Sequence, residues 1–269
     1  MPSLVGSEMC IRDRTSIEWY DFFLYATAAA LVFPAAFFPE STPTMGLILS
    51  FGTFAFGFIA RPVGGILFGH FGDRIGRKRT LVIALMLMGV ASTLIGLLPT
   101  YANIGIAAPI ILTVLRFVQG LAIGGQWGGA MLLVTESAPA DQRGYYGAYA
   151  QAGAPVGVIL ANLAFIIISA SVSEEFFQAW GWRIPFLASV LLIGISMYVQ
   201  LHIEDTDAFK ELEALKEKRL AETEGSQVLV KRSPVLEAIA RYPKRITLAA
   251  GAFISVQVNF YILIGLVNV

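Results

Sequence analysis

Long apolar stretches separated by short polar breaks organise this chain. Residues 22–60 hold one charged side chain, Glu40, and residues 80–115 and 144–173 hold none. A helix rising 1.5 Å per residue needs roughly 20 mostly apolar residues to cross the roughly 30 Å hydrocarbon core of a bilayer. Divided at its turn and charge signals, the pattern predicts spanning helices at 16–38, 46–68, 80–98, 104–135, 144–170, 183–201 and 246–269. The fold class predicted is an all-α membrane protein.

The breaks alternate in charge. PESTPT (39–44), PTYANIG (99–105) and SVSEEF (171–176) carry no lysine or arginine. The other breaks carry Arg74, Arg77, Lys78 and Arg79, then Arg143, then nine Lys/Arg within 202–245. Loop cations stay on the cytoplasmic side, so the N-terminus, every second loop and the central segment 202–245 are expected inside. Within that segment DAFKELEALKEKRLAE spaces Phe209, Leu212 and Leu215 as an amphipathic helix on the inner membrane face. Ser233 and Pro234 read as the N-cap and first residue of another helix.

Composition agrees with a membrane protein. The chain is 56% hydrophobic and 14% charged, with mean hydropathy +0.69, against about 45–50% and about 25% in soluble domains. Net charge is zero, so no global basic field invites nucleic acid. One cysteine, Cys10, and two distant histidines, His70 and His202, make a disulfide or a metal cluster unexpected. The opening MPSLVGSEMCIRDR has mixed charge and no apolar core, unlike a signal peptide. It resembles translated sequencing-adapter read-through, so 1–15 is expected to be a non-native or disordered leader.

Candidate chemistry lies where polar groups enter the apolar runs. Arg116 is well inside span four, where a charge costs at least a few kcal/mol, as a rough figure, and so faces the bundle interior or a water cavity. Gln119 is one turn on, and Gln126 a further seven residues, about 20° away around the helix. These form a polar stripe. Opposite it Gly120, Gly124 and Gly128, with Gly125 and Gly129, recur every four residues, a spacing suited to close helix packing. Glu18 and Asp21 are three apart near the start of span one. They serve either the inner interface, beside Trp19 and Tyr20, or proton and substrate handling. Arg61, before Pro62 in span two, carries the same two readings, and Pro62 predicts a bend. In span five GAPVG (153–157) predicts a kink, and Asn162 either lines a pathway or bonds a neighbouring helix. Arg183, flanked by Trp180 and Trp182, reads as an anchor. No Ser/His pair, paired catalytic acids or metal ligands converge within the spans, so the chain is not read as an enzyme and no cofactor is expected.

GHFGDRIGRKRT (69–80) sets one acid and four fixed cations between two spans. A cation-retaining loop accounts for the charges but not for the glycines or Asp73. Gly69, Asp73, Arg74, Gly76, Arg77 and Lys78 match the loop signature of the major facilitator superfamily, and RFVQG (116–120) matches its fourth-span motif. EWYDFFLYATAAALVF (18–33), FGFIARPVGGILFGHFGDRIGRK (56–78), LPTYANIGIAAPI (98–110) and WGWRIPFL (180–187) resemble the metabolite:proton symporter subfamily. The resemblance covers about residues 16–210. Two departures are Gln126 in GGQWGG, where the subfamily carries an acid, and Asp207 in EDTDAF, where it carries proline. The first speaks against a protonation role for position 126.

The resemblance implies a major facilitator fold. It divides the chain into a six-span N-terminal bundle (16–201), a cytoplasmic central loop (202–245) and a seventh span (246–269) that opens a C-terminal half. With that half missing, the chain alone is expected not to transport. Gly69, Gly72 and Gly76 would permit a tight reversal, and Asp73 would accept from neighbouring cations or a facing helix N-terminus. The resemblance implies that this loop clasps the other half in the outward-facing state. The expected function is proton-coupled import of a small metabolite, an organic acid, across the bacterial inner membrane by alternating access, with protons and that metabolite as partners. A betaine or proline symporter, or a non-transporting sensor or scaffold, are the other readings.

Overall fold

A membrane-crossing backbone must satisfy its own hydrogen bonds, because hydrocarbon offers none. The computed structural model meets this demand with helices, and no strand occurs among the described residues, which are 2–75, 77–137, 142–202 and 241–267. The helices are α1 (Pro2–Leu31), α2 (Phe33–Phe37), α3 (Pro43–Ile75), α4 (Arg77–Leu97), α5 (Tyr101–Ile104), α6 (Ala107–Ser137), α7 (Arg143–Gln151), α8 (Gly153–Ser171), α9 (Glu174–Phe176), α10 (Arg183–His202) and α11 (Pro243–Val267). A π-helical turn, Phe177–Gly181, precedes α10. The chain divides into two compact units, Met1–Leu212 and Glu213–Val269, and α11 belongs to the second.

Each predicted span has its helix, with informative differences at the ends. α1 begins at Pro2, upstream of the expected start at residue 16. Span one breaks at Val32, with Pro34 in the first turn of α2, where its missing N–H costs nothing. Span five divides at Ala152, and Pro155 lacks the N–H that would have bonded the carbonyl of residue 151. α3 continues through Pro62 to Ile75, so Gly69 and Gly72 are helical and not part of a tight reversal. Ten largely apolar residues from Ile66 onward, with few turn signals beyond the glycines themselves, simply extend the span. Gly105, at φ +58, ends α5 in a left-handed conformation that favours glycine. By length and hydropathy alone, α3, α4, α6 and α8 can cross a membrane. The expected amphipathic helix at 207–222 and the Ser233 cap lie outside the described residues.

Two features lock the first unit together. Where α1 gives way to α2, Phe33, Phe37, Trp182 and Phe186 form a fully buried aromatic cluster, with Phe33 edge-on to Phe37 and Trp182 at centroid distances of 5.2 and 5.8 Å. Arg183 anchors it as expected: it donates to the carbonyls of Ala179 and Leu98 and lies over the Trp182 ring at 4.4 Å. Nearby in the connections, Glu40 hydrogen-bonds Tyr101 and so raises the pKa of its phenol.

The second feature is the α3–α6 contact, where glycines let two backbones meet. A Cβ on Gly120 would strike the backbone of Gly57, one on Gly124 the backbone of Arg61, and one on Gly64 the backbone of Leu121. The glycines of span four thus pack on α3, but beside Arg116 and not opposite it: Arg116 and Gly120, one turn apart, both meet Gly57. Bringing helices this close substitutes van der Waals contact for the hydrophobic drive that lipid removes. Gly64→Val should therefore lower the thermal stability of the detergent-solubilised protein by about 2–3 kcal/mol. Gly52→Ala, whose Cβ meets nothing within 4 Å, should leave it unchanged or raise it by up to about 1 kcal/mol. Equal behaviour of the two variants would refute the seam.

Candidate functional site

α1, α4, α6 and α10 bring polar side chains to one point inside the bundle. Asp21 is 1% exposed, Arg116 1%, and Ser92 and Gln119 are fully buried. An ionised side chain in so dry a setting persists only with partners, and here the partners are linked to one another. Arg116 Nη1 donates to Gln119 Oε1 at 3.0 Å. The Gln119 amide donates onward to Asp21 Oδ2 at 3.0 Å and to Ser92 Oγ at 2.6 Å. Ser92 Oγ in turn donates to Asp21 Oδ2 at 2.5 Å. Gln119 is thus a neutral bridge between the cation and the acid, and Ser92 bonds both its amide nitrogen and the acid.

The other carboxylate oxygen is different. Asp21 Oδ1 is buried and has no hydrogen-bond donor among the described residues. The Ser189 hydroxyl of α10 is within reach of the carboxyl, but in this arrangement it is turned to the carbonyl of Pro185, at a long 3.3 Å.

Aromatic rings wall the cation. The Arg116 guanidinium lies over Tyr25, Phe54 and Phe22 at 4.2, 4.5 and 4.9 Å from their centroids. Such contacts offset part of the lost hydration, at about 2 kcal/mol or more when desolvated. Tyr25 is fixed in turn by its hydroxyl, 2.7 Å from Thr53 Oγ1 on α3. Gly57 leaves the space that Arg116 fills, since a Cβ there would lie 2.9 Å from Nε. Phe22 is shared: Arg61 sits 4.6 Å from the same ring, and 4.5 Å from Phe58.

Of the residues predicted from the sequence, Arg116, Gln119 and Asp21 come together, with Arg61 joined through Phe22. Asp21 lies inside the bundle and not at its polar interface. Glu18, one helical turn earlier, is half-buried. The side chains of Gln126, Asp73, Arg74, Arg77 and Lys78, and Gly76 itself, lie outside the described residues. Gly69 is in α3 with open space around it. Asn162 bonds a neighbouring helix: its Oδ1 accepts from Thr27 at 3.3 Å and its Nδ2 donates to Val158 O at 3.1 Å. Ser92, Tyr25 and Thr53 were not anticipated, because a lone hydroxyl in an apolar run carries no directional signal. Among the described residues no cluster suits a metal ion.

Comparison with known proteins identifies the family. The sugar (and other) transporter family matches residues 11–247. An inner membrane metabolite transport protein of Escherichia coli is 50% identical over 202 residues, 75% of this chain and 46% of that protein. The Escherichia coli shikimate transporter is 43% identical over 240 residues, 89% of this chain and 51% of that protein. Among solved structures, the proton:xylose symporter of the major facilitator superfamily bound to 6-bromo-6-deoxy-D-glucose superposes with a TM-score of 0.64 at 17% identity, over 75% of this chain and 45% of that one. The superposition shows a shared fold. The chain spans about half the length of the curated relatives it matches.

The bridge predicts a graded cost of disruption. Gln119→Leu leaves a buried guanidinium and a buried carboxylate each short of a partner, which should destabilise the protein by at least about 2 kcal/mol. Tyr25→Phe removes one neutral interhelical bond and should cost about 0.6 kcal/mol, the average for such bonds in membranes. Chemical unfolding in detergent compares the two, and an equal cost would show that Gln119 is not a bridge.

Proposed function

Because the chain belongs to the sugar (and other) transporter family of the major facilitator superfamily, we propose that it forms the proton-handling part of a symporter that imports a small organic acid across the bacterial inner membrane. The observation that carries this reading is Asp21, a fully buried acid joined through Gln119 to Arg116. Inside a bilayer a charge costs enough that an intramembrane acid and cation mark an ion pathway. A proton arriving on Asp21 neutralises it and releases Arg116 from its countercharge. Arg116 then attracts an anion, so proton and substrate bind together and cross with their charges compensated. Two guanidinium groups over the same Phe22 ring, and a relative named for shikimate, favour a carboxylate over a neutral sugar.

Substrate in such carriers binds at mid-membrane where two halves meet; on this reading Arg61, Arg116 and Gln119 serve the substrate and Glu18 and Asp21 the proton path. Gln126 has no titrating role. The Gly69–Lys78 segment clasps the second half, and the cation-bearing breaks, the N-terminus and the central loop face the cytoplasm.

Uptake by the whole gene's product, reconstituted in vesicles with an inward proton gradient, tests the reading. Labelled organic acids should accumulate and labelled betaine should not. Asp21→Asn should abolish accumulation while exchange of internal for external substrate persists. Arg116→Lys keeps the charge but loses the planar fork that spans two acceptors, and uptake should fall at least about tenfold, about 1.4 kcal/mol. Gradient-driven accumulation by Asp21→Asn would overturn the proton site, and accumulation of betaine alone would overturn the substrate class.

A further inference from the structure

The hydrogen bonds of this network assign unequal work to the two oxygens of Asp21. Oδ2 receives both donors, Ser92 Oγ and Gln119 Nε2. Oδ1 is buried with no hydrogen-bond donor on it among the described residues. A proton added at Oδ2 would have to evict two donors and reorder the bridge to Arg116. A proton added at Oδ1 disturbs neither. We propose that Ser92 is a positioning residue that holds Oδ2, directs the transported proton to Oδ1, and sets how tightly Asp21 keeps it. The inference rests on Asp21 being the proton carrier.

The argument for Ser92 is its double engagement. It is fully buried on α4, donates to the acid, and accepts from the same Gln119 amide that also bonds the acid. Its hydroxyl hydrogen is therefore committed to the carboxylate, because its lone pair already faces an N–H. A committed donor favours the ionised acid over the protonated one. Removing the hydroxyl removes that preference, while Gln119 keeps its bonds to Asp21 and Arg116.

Other groups around Asp21 fix the background against which Ser92 acts. On α1 these are Glu18, Tyr20 and Tyr25; on α6, Arg116; on α3, Arg61 beyond Phe22. α2 and α8 carry no ionisable residue, and α4 and α10 present Ser92 and Ser189 at the carboxyl. On α7 the described ionisable side chains, Arg143 and Tyr145, are exposed. None of these changes when Ser92 is replaced.

Infrared difference spectra of the protein in lipid nanodiscs, recorded across a pH titration, read the carboxylic-acid C=O band directly, without transport. The band lost in Asp21→Asn is that of Asp21. Ser92→Ala should move its midpoint toward alkaline pH by about one unit, the tenfold change that one charge-assisted hydrogen bond sustains. Ser92→Thr, which keeps the hydroxyl, should leave the midpoint in place. Ser92→Cys, close in size but a weak donor, should fall between them and guards against misfolding of the alanine variant. The pH profile of uptake by the whole gene's product should shift in parallel. An unmoved midpoint in both Ala and Cys variants, or a Thr variant that moves as far as Ala, would reduce Ser92 to packing. If no titrating band vanishes in Asp21→Asn, the proton site itself fails, and the role of Ser92 with it.

Discussion

A carboxylate placed where water cannot reach it constrains everything around it. Asp21 has to be held by groups that themselves have to be held, and the chain of obligations runs outward from it. Gln119 and Ser92 hold the acid, Arg116 holds Gln119, three aromatic rings hold Arg116, and Thr53 holds one of those rings. The sequence elements that look unrelated along the chain, namely an Asp in span one, a Ser in span three and an Arg–Gln pair in span four, are one object in space. Because hydrocarbon offers no alternative partners, the members depend on one another, each stabilised by the presence of the others.

The need to bring α6 close enough to α3 explains the glycines. Arg116 occupies the volume vacated at Gly57, and further along the same pair of helices Gly64, Gly120 and Gly124 allow backbone contact. Small residues at an interface are therefore the geometric condition for a large charged residue to be buried beside them. The fully buried aromatic cluster at the break between α1 and α2 plays the complementary part: it fills space that no polar group occupies.

Much of this was legible from residue spacing. Long apolar runs with few or no charges located the spans, and the three-residue offset of Arg116 and Gln119 placed both on the stripe that the structure buries. The four-residue recurrence of glycine in span four located the seam. Asp21 was ambiguous because it lies only a few residues into its predicted span, where an acid belongs equally to the interface. Ser92 was invisible, since serine in an apolar helix commonly bonds its own backbone, as Thr93 does with Gly89 O at 2.7 Å; only the position of α1 relative to α4 distinguishes them. The turn at Gly69 and Gly72 was misread because glycines that signal a reversal in a soluble loop are tolerated inside a membrane helix. Gly57 and Gly64, seven apart on α3, repeat the spacing that marks a helix face and complete the seam from the other side.

That seam makes α3 and α6 a single mechanical member. Two helices meeting backbone to backbone have no side chains between them to rearrange, so sliding one past the other would drive carbonyls into α-carbons. The pair can tilt only as a plank tilts, with Arg61 and Arg116 keeping their spacing throughout. Any relative motion within the bundle must then be taken up at contacts built from side chains, such as that of α4 with α10, where Ile193 rests against Gly89 and Phe186 against Gly96, and where flexible aliphatic groups can change rotamer at little cost.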